Sequence, residues 1–290
     1  MTQHSNPDDE IAIRAQQLRD SDPDLIQEAI EVETGKPPKS TTSPPADKNI
    51  AIHNTSAPYK FVPLKMGGNG GTHKPSRASR DLIEQEVSFD SLLTMTEKFY
   101  ELAFQDDTLD KFIRSHNDPH GTRFAKWIHQ KLTGSNIWDM DRQARDKTPV
   151  RVAGGRTAVV HDRSSAHAAA WYSAKRPKKD VGRHFTLEEC RVWMRLHFWA
   201  MRESGLVEQS PSFADYYVRF IGHFVSVYEG SATMFARESF RWSSNPKNIE
   251  NYIKNGRKMK DVLGVSFGRA IKDLPESEYE DDEWPYQVAQ

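Results

Sequence analysis

Apolar side chains recur at spacings of three and four residues over four separate stretches, and each stretch predicts an amphipathic helix. The first stripe runs from Val87 through Leu92, Leu93, Met95, Thr96, Phe99, Tyr100, Ala103 and Phe104, with Ser88 or Asp90 placed to cap it. Asp118 followed by Pro119 predicts a second start, because a carboxylate satisfies free amides and proline fits a first turn. That helix carries Phe124, Trp127, Ile128 and Leu132 and stops near Gly134. Thr186 and Glu189 have capping-box spacing and open a third, with Leu187, Cys190, Trp193, Met194, Leu196, His197, Ala200 and Met201 before Gly205. Ser210 and Pro211 open the fourth, whose face is Phe213, Tyr216, Tyr217, Phe220, Ile221, Phe224, Val227 and Tyr228. No alternating run predicts a strand and there is no internal repeat. The expected fold class is all-α, with its core between residues 83 and 242.

The flanks lack this pattern. Residues 1–80 hold nine of the 16 prolines but only two aromatics, Tyr59 and Phe61, so they predict a disordered arm that cannot offset its own ordering entropy. Within it, Glu10 to Val32 has some helical spacing, and Met66 to Gly71 reads as a Gly-rich bend. Residues 243–290 form a charged extension, expected to finish as a weak helix and an acidic tail. Between Trp138 and Val181 a long inserted loop (138–181) carries Arg142, Arg145, Arg151, Arg156, Lys175, Arg176 and other basic residues with little periodicity. Loops of that length inside a domain are usually functional or mobile.

Composition narrows the function classes. The 40 basic and 41 acidic side chains nearly cancel, which removes a whole-chain electrostatic argument for nucleic acid. Basic residues interleaved with Trp171 and Tyr172 leave a local version of that reading, against which solvated loop charge is the commoner explanation. Mean hydropathy is −0.75 and no long apolar run or secretory leader is present, so a soluble cytoplasmic protein without a membrane segment is expected. The single cysteine, Cys190, excludes internal disulfides and cysteine-cluster metal sites. Phosphate loops, dinucleotide fingerprints, nucleophile elbows and zincin motifs are absent, which removes most common enzyme classes. What stands out instead is the density of Phe, Trp, Tyr and His on the four helices.

The segments FYELAFQDDTLDKF (Phe99 to Phe112), PHGTRFAKWIHQKLTG (Pro119 to Gly134) and FTLEECRVWM (Phe185 to Met194) together resemble the truncated haemoglobins, closest to their second group. They are also similar to fungal and oomycete globin-like proteins with long extensions. The resemblance spans roughly residues 85–230. It implies a two-over-two helical sandwich holding haem b, with dioxygen or nitric oxide as ligand and an unknown redox partner for any turnover. In that family a Phe-Tyr pair sets a tyrosine hydroxyl over the distal side, which matches Phe99 and Tyr100. His120, Phe124 and Trp127 would share one helix face toward the pocket, Phe112 would pack on the macrocycle with Ile113 one position away, and Trp193 would supply an indole donor. The iron ligand implied is His167, six residues after His161, with His184 as the second candidate. Two departures accompany the match: the family's Gly-Gly-Pro is reduced to Thr133-Gly134-Ser135, and both loops flanking His167 are long. The competing expectation is a haem-free interaction protein that uses its extensions as partner-binding arms.

Overall fold

The computed structural model describes residues 58–67, 72–113, 115–145, 148–151, 157–160 and 170–274. The chain is mostly helical. Its elements are α1 (Arg77–Asp81), α2 (Phe89–Gln105), α3 (His120–Thr133), α4 (Ile137–Ala144), β1 (Thr148–Arg151), β2 (Thr157–Val160), α5 (Leu187–Glu203), α6 (Leu206–Gln209), α7 (Pro211–Val225), α8 (Ala236–Trp242), α9 (Pro246–Lys254) and α10 (Phe267–Lys272). A π-helical turn follows α1 at Leu82–Glu86, and 3-10 turns precede α3 at Leu109–Phe112 and α8 at Gly230–Phe235.

The four patterned stretches become α2, α3, α5 and α7, and their starts follow local chemistry. Ser88 caps α2 by accepting from the Ser91 amide, Thr186 and Glu189 close a full capping box on α5, and Ser210 caps α7 ahead of Pro211 in its first turn. The start of α3 differs from expectation. Pro119 itself is the N-cap and no side chain caps the helix, so the Asp118 carboxylate does not serve, although its carbonyl accepts from the His120 amide. Gly134 ends α3 in the left-handed conformation at φ 76°, which only glycine adopts without cost.

Where α2 crosses α3 the two backbones touch. A Cβ on Gly121 would lie 2.9 Å from the Glu97 Cα, closer than such atoms approach, and the Thr96 hydroxyl donates to the Gly121 carbonyl at 2.8 Å. Helix α2 also packs along α5, whose far side takes α8, while α7 lies against α6 and the 3-10 turn before α8.

Three expectations about extent need correction. First, the arm does not reach residue 80: Val62 is buried, the Lys60 amide donates to Ser212 Oγ, and Arg219 Nη2 donates to the Val62 carbonyl at 2.9 Å. Arg219 is itself held bidentately by the fully buried Asp215, so the prolines of this segment rest on a prepared surface. Second, the extension after 243 closes the core. Tyr252, Met259 and Val262 are buried against Phe99, Leu102 and Leu196, and the Tyr252 hydroxyl donates to buried Asp106 at 2.9 Å. The weak terminal helix is present as α10; the acidic tail lies outside the described residues, as does the Glu10 to Val32 stretch. Third, the loop from Trp138 begins as a helix, α4, and contains a two-stranded antiparallel ribbon in which Thr148 pairs with Val160 and Arg151 with Thr157. Hydrophobic pattern misses α4 because none of its residues is buried. It is clasped by polar groups of α3: Gln130 Oε1 accepts from the Trp138 and Asp139 amides at 2.9 and 3.1 Å, and Lys126 pairs with Asp141.

Two substitutions probe these closures by chemical denaturation. Gly121→Ala is expected to lower stability by about 2 kcal/mol, since overpacking of this kind forces backbone shifts. Tyr252→Phe is expected to cost about 1 kcal/mol, because it removes one of the donors to a buried carboxylate. A change within error in either variant would refute the corresponding contact.

Candidate functional site

The conjunction of α2, α3 and α5 is almost wholly aromatic. Phe99 is buried and meets Tyr100, Trp193 and His197 at ring-centroid separations of 5.1, 5.4 and 4.9 Å. Phe124, from α3, touches Tyr100, Trp193, His197 and Trp127 at 6.5, 6.0, 5.3 and 5.7 Å. His120, one turn earlier, is buried and not solvent-facing. Its ring stacks on Tyr100 at 4.9 Å, and its Nε2 donates to the Ser115 carbonyl at 2.8 Å.

Burial pushes the Tyr100 hydroxyl up to about 12, with the Arg123 charge opposing it, yet the residue stays half-buried and not sealed. Neither its hydroxyl nor the Trp193 indole N–H makes a hydrogen bond among the described residues. Trp127, Phe124 and Trp193 are likewise half-buried, each packed against the core on one side and open on another.

The open aromatic faces continue beyond these helices. Trp127 meets Phe224 at 4.5 Å, Phe224 meets Tyr228 at 5.5 Å, Tyr228 meets Phe185 at 5.6 Å, and Phe185 meets Phe112 at 5.0 Å. Phe112 and Ile113 therefore face different ways: Phe112 packs on Phe185 under the Arg176 guanidinium, whereas Ile113 joins the cluster with Phe99, Tyr100 and Trp193. Arg176 organises the turn that leads into α5. Its buried guanidinium donates to the carbonyls of Trp171 and Arg183 at 3.1 and 2.7 Å and pairs with Glu189. His184 lies in this turn, stacked on Trp171 at 4.1 Å. His161 and His167 lie outside the described residues, three positions and more before Ala170.

The same geometry pairs four of the basic residues of this region with carboxylates. Lys175 pairs with Asp110 at 3.0 Å, Arg142 and Arg145 pair with Asp139 and Asp141 within α4, and Arg176 is buried. These four groups have intramolecular partners.

Five of the residues singled out from sequence thus share one neighbourhood (Tyr100, His120, Phe124, Trp127 and Trp193), while Phe112 borders it through Phe185. Sequence reasoning missed His197, Phe224 and Tyr228 as site residues. They lie on the apolar stripes of α5 and of α7 with the turn that follows it, where a core role and a site role look alike. His197 is fully buried; its Nε2 meets the Tyr217 hydroxyl at 2.8 Å, its Nδ1 has no partner, and burial holds it neutral with a pKa lowered to about 3. Against families of known sequence, curated proteins and solved structures, the chain returns no match.

His73, bound through Nε2 to the Tyr216 hydroxyl at 2.5 Å, is the second neutral buried histidine, lowered to about 4 by burial and then by the charges of His223 and Lys131. Both folded values lie below the ordinary 6.5, so the unfolded chain binds more protons than the folded one between the two. Stability is therefore expected to be complete above about pH 6.5 and to fall progressively toward pH 4. Urea midpoints across that range check this, with a His73→Phe/His197→Phe double variant expected to flatten the slope; an unchanged slope would count against neutral burial.

Proposed function

We propose that this chain is a globin-like haem protein, with α2 and α3 laid over α5 and α7 as two helical pairs and a cleft between them that takes the macrocycle. The observation that carries the reading is the pair of hydrogen-bond donors, Tyr100 O–H and Trp193 N–H, which have no hydrogen-bond partner among the described residues and lie in an aromatic neighbourhood. Neither donor atom is sealed from solvent, so a ligand carrying an acceptor atom can reach both. The half-open faces of Phe124, Trp127 and Phe224 suit a flat apolar group, and apolar pockets with a few convergent polar groups are the usual form of cofactor sites.

Haem b, when bound, supplies an iron that takes up a diatomic ligand such as dioxygen or nitric oxide. The protein's part is to position donors and exclude water. Tyr100 is held on one face by the His120 ring, which is itself fixed by the Ser115 carbonyl, so its hydroxyl has little freedom to turn away. With a pKa near 12 that hydroxyl keeps its proton at neutral pH and acts only as a donor or neutral acceptor. Phe124 and Trp127 exclude water from the same side. His167 is the residue proposed to hold iron, and the turn bearing Trp171 and His184 follows it directly in the chain.

Haemin titration of the purified protein tests this. A saturable Soret band at one equivalent is expected, lost in His167→Ala and kept in His184→Ala; loss only in His184→Ala would move the iron ligand to that residue. Tyr100→Phe is expected to leave haemin uptake intact and to raise the dissociation rate of a bound diatomic ligand about tenfold, the equivalent of one hydrogen bond. No band in the parent protein would overturn the proposal.

A further inference from the structure

We propose that His197 is a positioning residue for Trp193, acting through a two-ring relay anchored on α7. The inference rests on the haem-cleft reading for its purpose, though not for its geometry. Trp193 and His197 are four apart on α5 and so share a face. Their rings are parallel within 4° at 4.6 Å, a flat stack in which one plane dictates the other. The imidazole cannot rotate freely. Phe99 meets it edge-on at 4.9 Å, Phe124 lies at 5.3 Å, and its Nε2 is tied to the Tyr217 hydroxyl at 2.8 Å. Tyr217 is in turn fully buried and stacked on Phe213 at 5.2 Å, so the anchor is part of the rigid core of α7.

A histidine here is costly unless something depends on it. The site is fully buried and apolar, the ring must remain neutral, and Nδ1 is left without a hydrogen bond. A Leu or Phe would fill the space without that penalty. What the imidazole adds is a hydrogen bond that fixes the angle of a ring about its own helix-side bond, and with it the angle of the indole above. Trp193, the outer member, is the half-buried one, with no hydrogen-bond partner for its N–H among the described residues. The stack therefore transmits orientation from the core outward to the donor on the cleft wall.

The test combines a double-mutant cycle with a measurement that needs no cofactor. In protein loaded with haemin, reduced and exposed to carbon monoxide, His197→Leu and Tyr217→Phe are expected to raise the ligand dissociation rate about threefold to tenfold and to shift the bound-ligand stretching frequency. His197→Phe, which keeps a flat ring but no tie to Tyr217, is expected to fall between. In a Trp193→Phe background the same substitutions should add nothing. Equal effects with and without Trp193 would make His197 merely structural and overturn the proposal. In the cofactor-free protein, the Trp193 indole N–H resonance, assigned by its loss in Trp193→Phe, is expected to shift and broaden in His197→Leu and Tyr217→Phe while the other indole signals hold. An unmoved resonance would also overturn it. If the parent protein takes up no haemin, the function proposed above falls, and the indole resonance still decides the positioning role.

Discussion

The contact on which the site depends is the backbone approach of α2 to α3 at Gly121. A helix crossing this close brings the side chains one turn away on each helix into contact, because α3 has no Cβ at Gly121 to hold the Glu97 backbone of α2 off. Tyr100 lies one turn beyond Thr96, and Phe124 one turn beyond His120 and Gly121, so the Thr96 to Gly121 hydrogen bond fixes where the Tyr100, His120 and Phe124 rings meet. A wider crossing would leave the Tyr100 hydroxyl in water with ordinary partners. At this distance the Tyr100 ring is packed among His120, Phe99 and Phe124, and its hydroxyl has no hydrogen-bond partner among the described residues.

Around that crossing, buried charge holds the parts of the chain whose composition looks least structured. Asp215 orients Arg219, which receives the 58–67 segment; Asp106, which also accepts from the amides of Thr108 and Leu109, receives Tyr252. On the far face of α5, Glu238 from α8 sits between Arg191 and Arg195, and Arg195 also reaches Asp261 at 2.5 Å. Such pairs are weak sources of net stability, but removing one partner strands a buried charge, so they select one arrangement sharply. Helix α5 consequently has a charged side that fastens the extension and an aromatic side, Trp193 and His197, that faces the site.

The two sides of α5 divide the molecule's labour. The charged side and the C-terminal helices make the second, smaller part of the core, in which Phe99 and Leu196 meet Trp242, Tyr252 and Val262. Phe99 belongs to this part and also touches the Tyr100, Trp193 and His197 rings, so the extension supports the cleft from behind. The segment bearing Tyr252, Met259 and Val262 is thereby tied to the site through Phe99.

The helical class, the four principal helices and three of their four caps were legible in the sequence because stripes of apolar residues and capping pairs are local properties. Tyr100, Phe124, Trp127 and Trp193 came forward as site residues through the resemblance to truncated haemoglobins, since a stripe by itself does not separate a site role from a core role. What was not legible has a common cause. Val62, Asp106, Asp215, Gln130 and Tyr252 act on partners far away in the chain, through single polar contacts or isolated apolar anchors that leave no period. Helix α4 escaped notice because its partners are polar groups of α3, and His197 because a histidine on an apolar stripe looks like core filling until its neighbours are known. The sequence by itself determined which segments are helical and which faces are apolar, since both follow from spacing. Only the tertiary structure decided which aromatic faces stay open and which donors stay unpaired, because that depends on how closely helices cross and on what lies across from each ring.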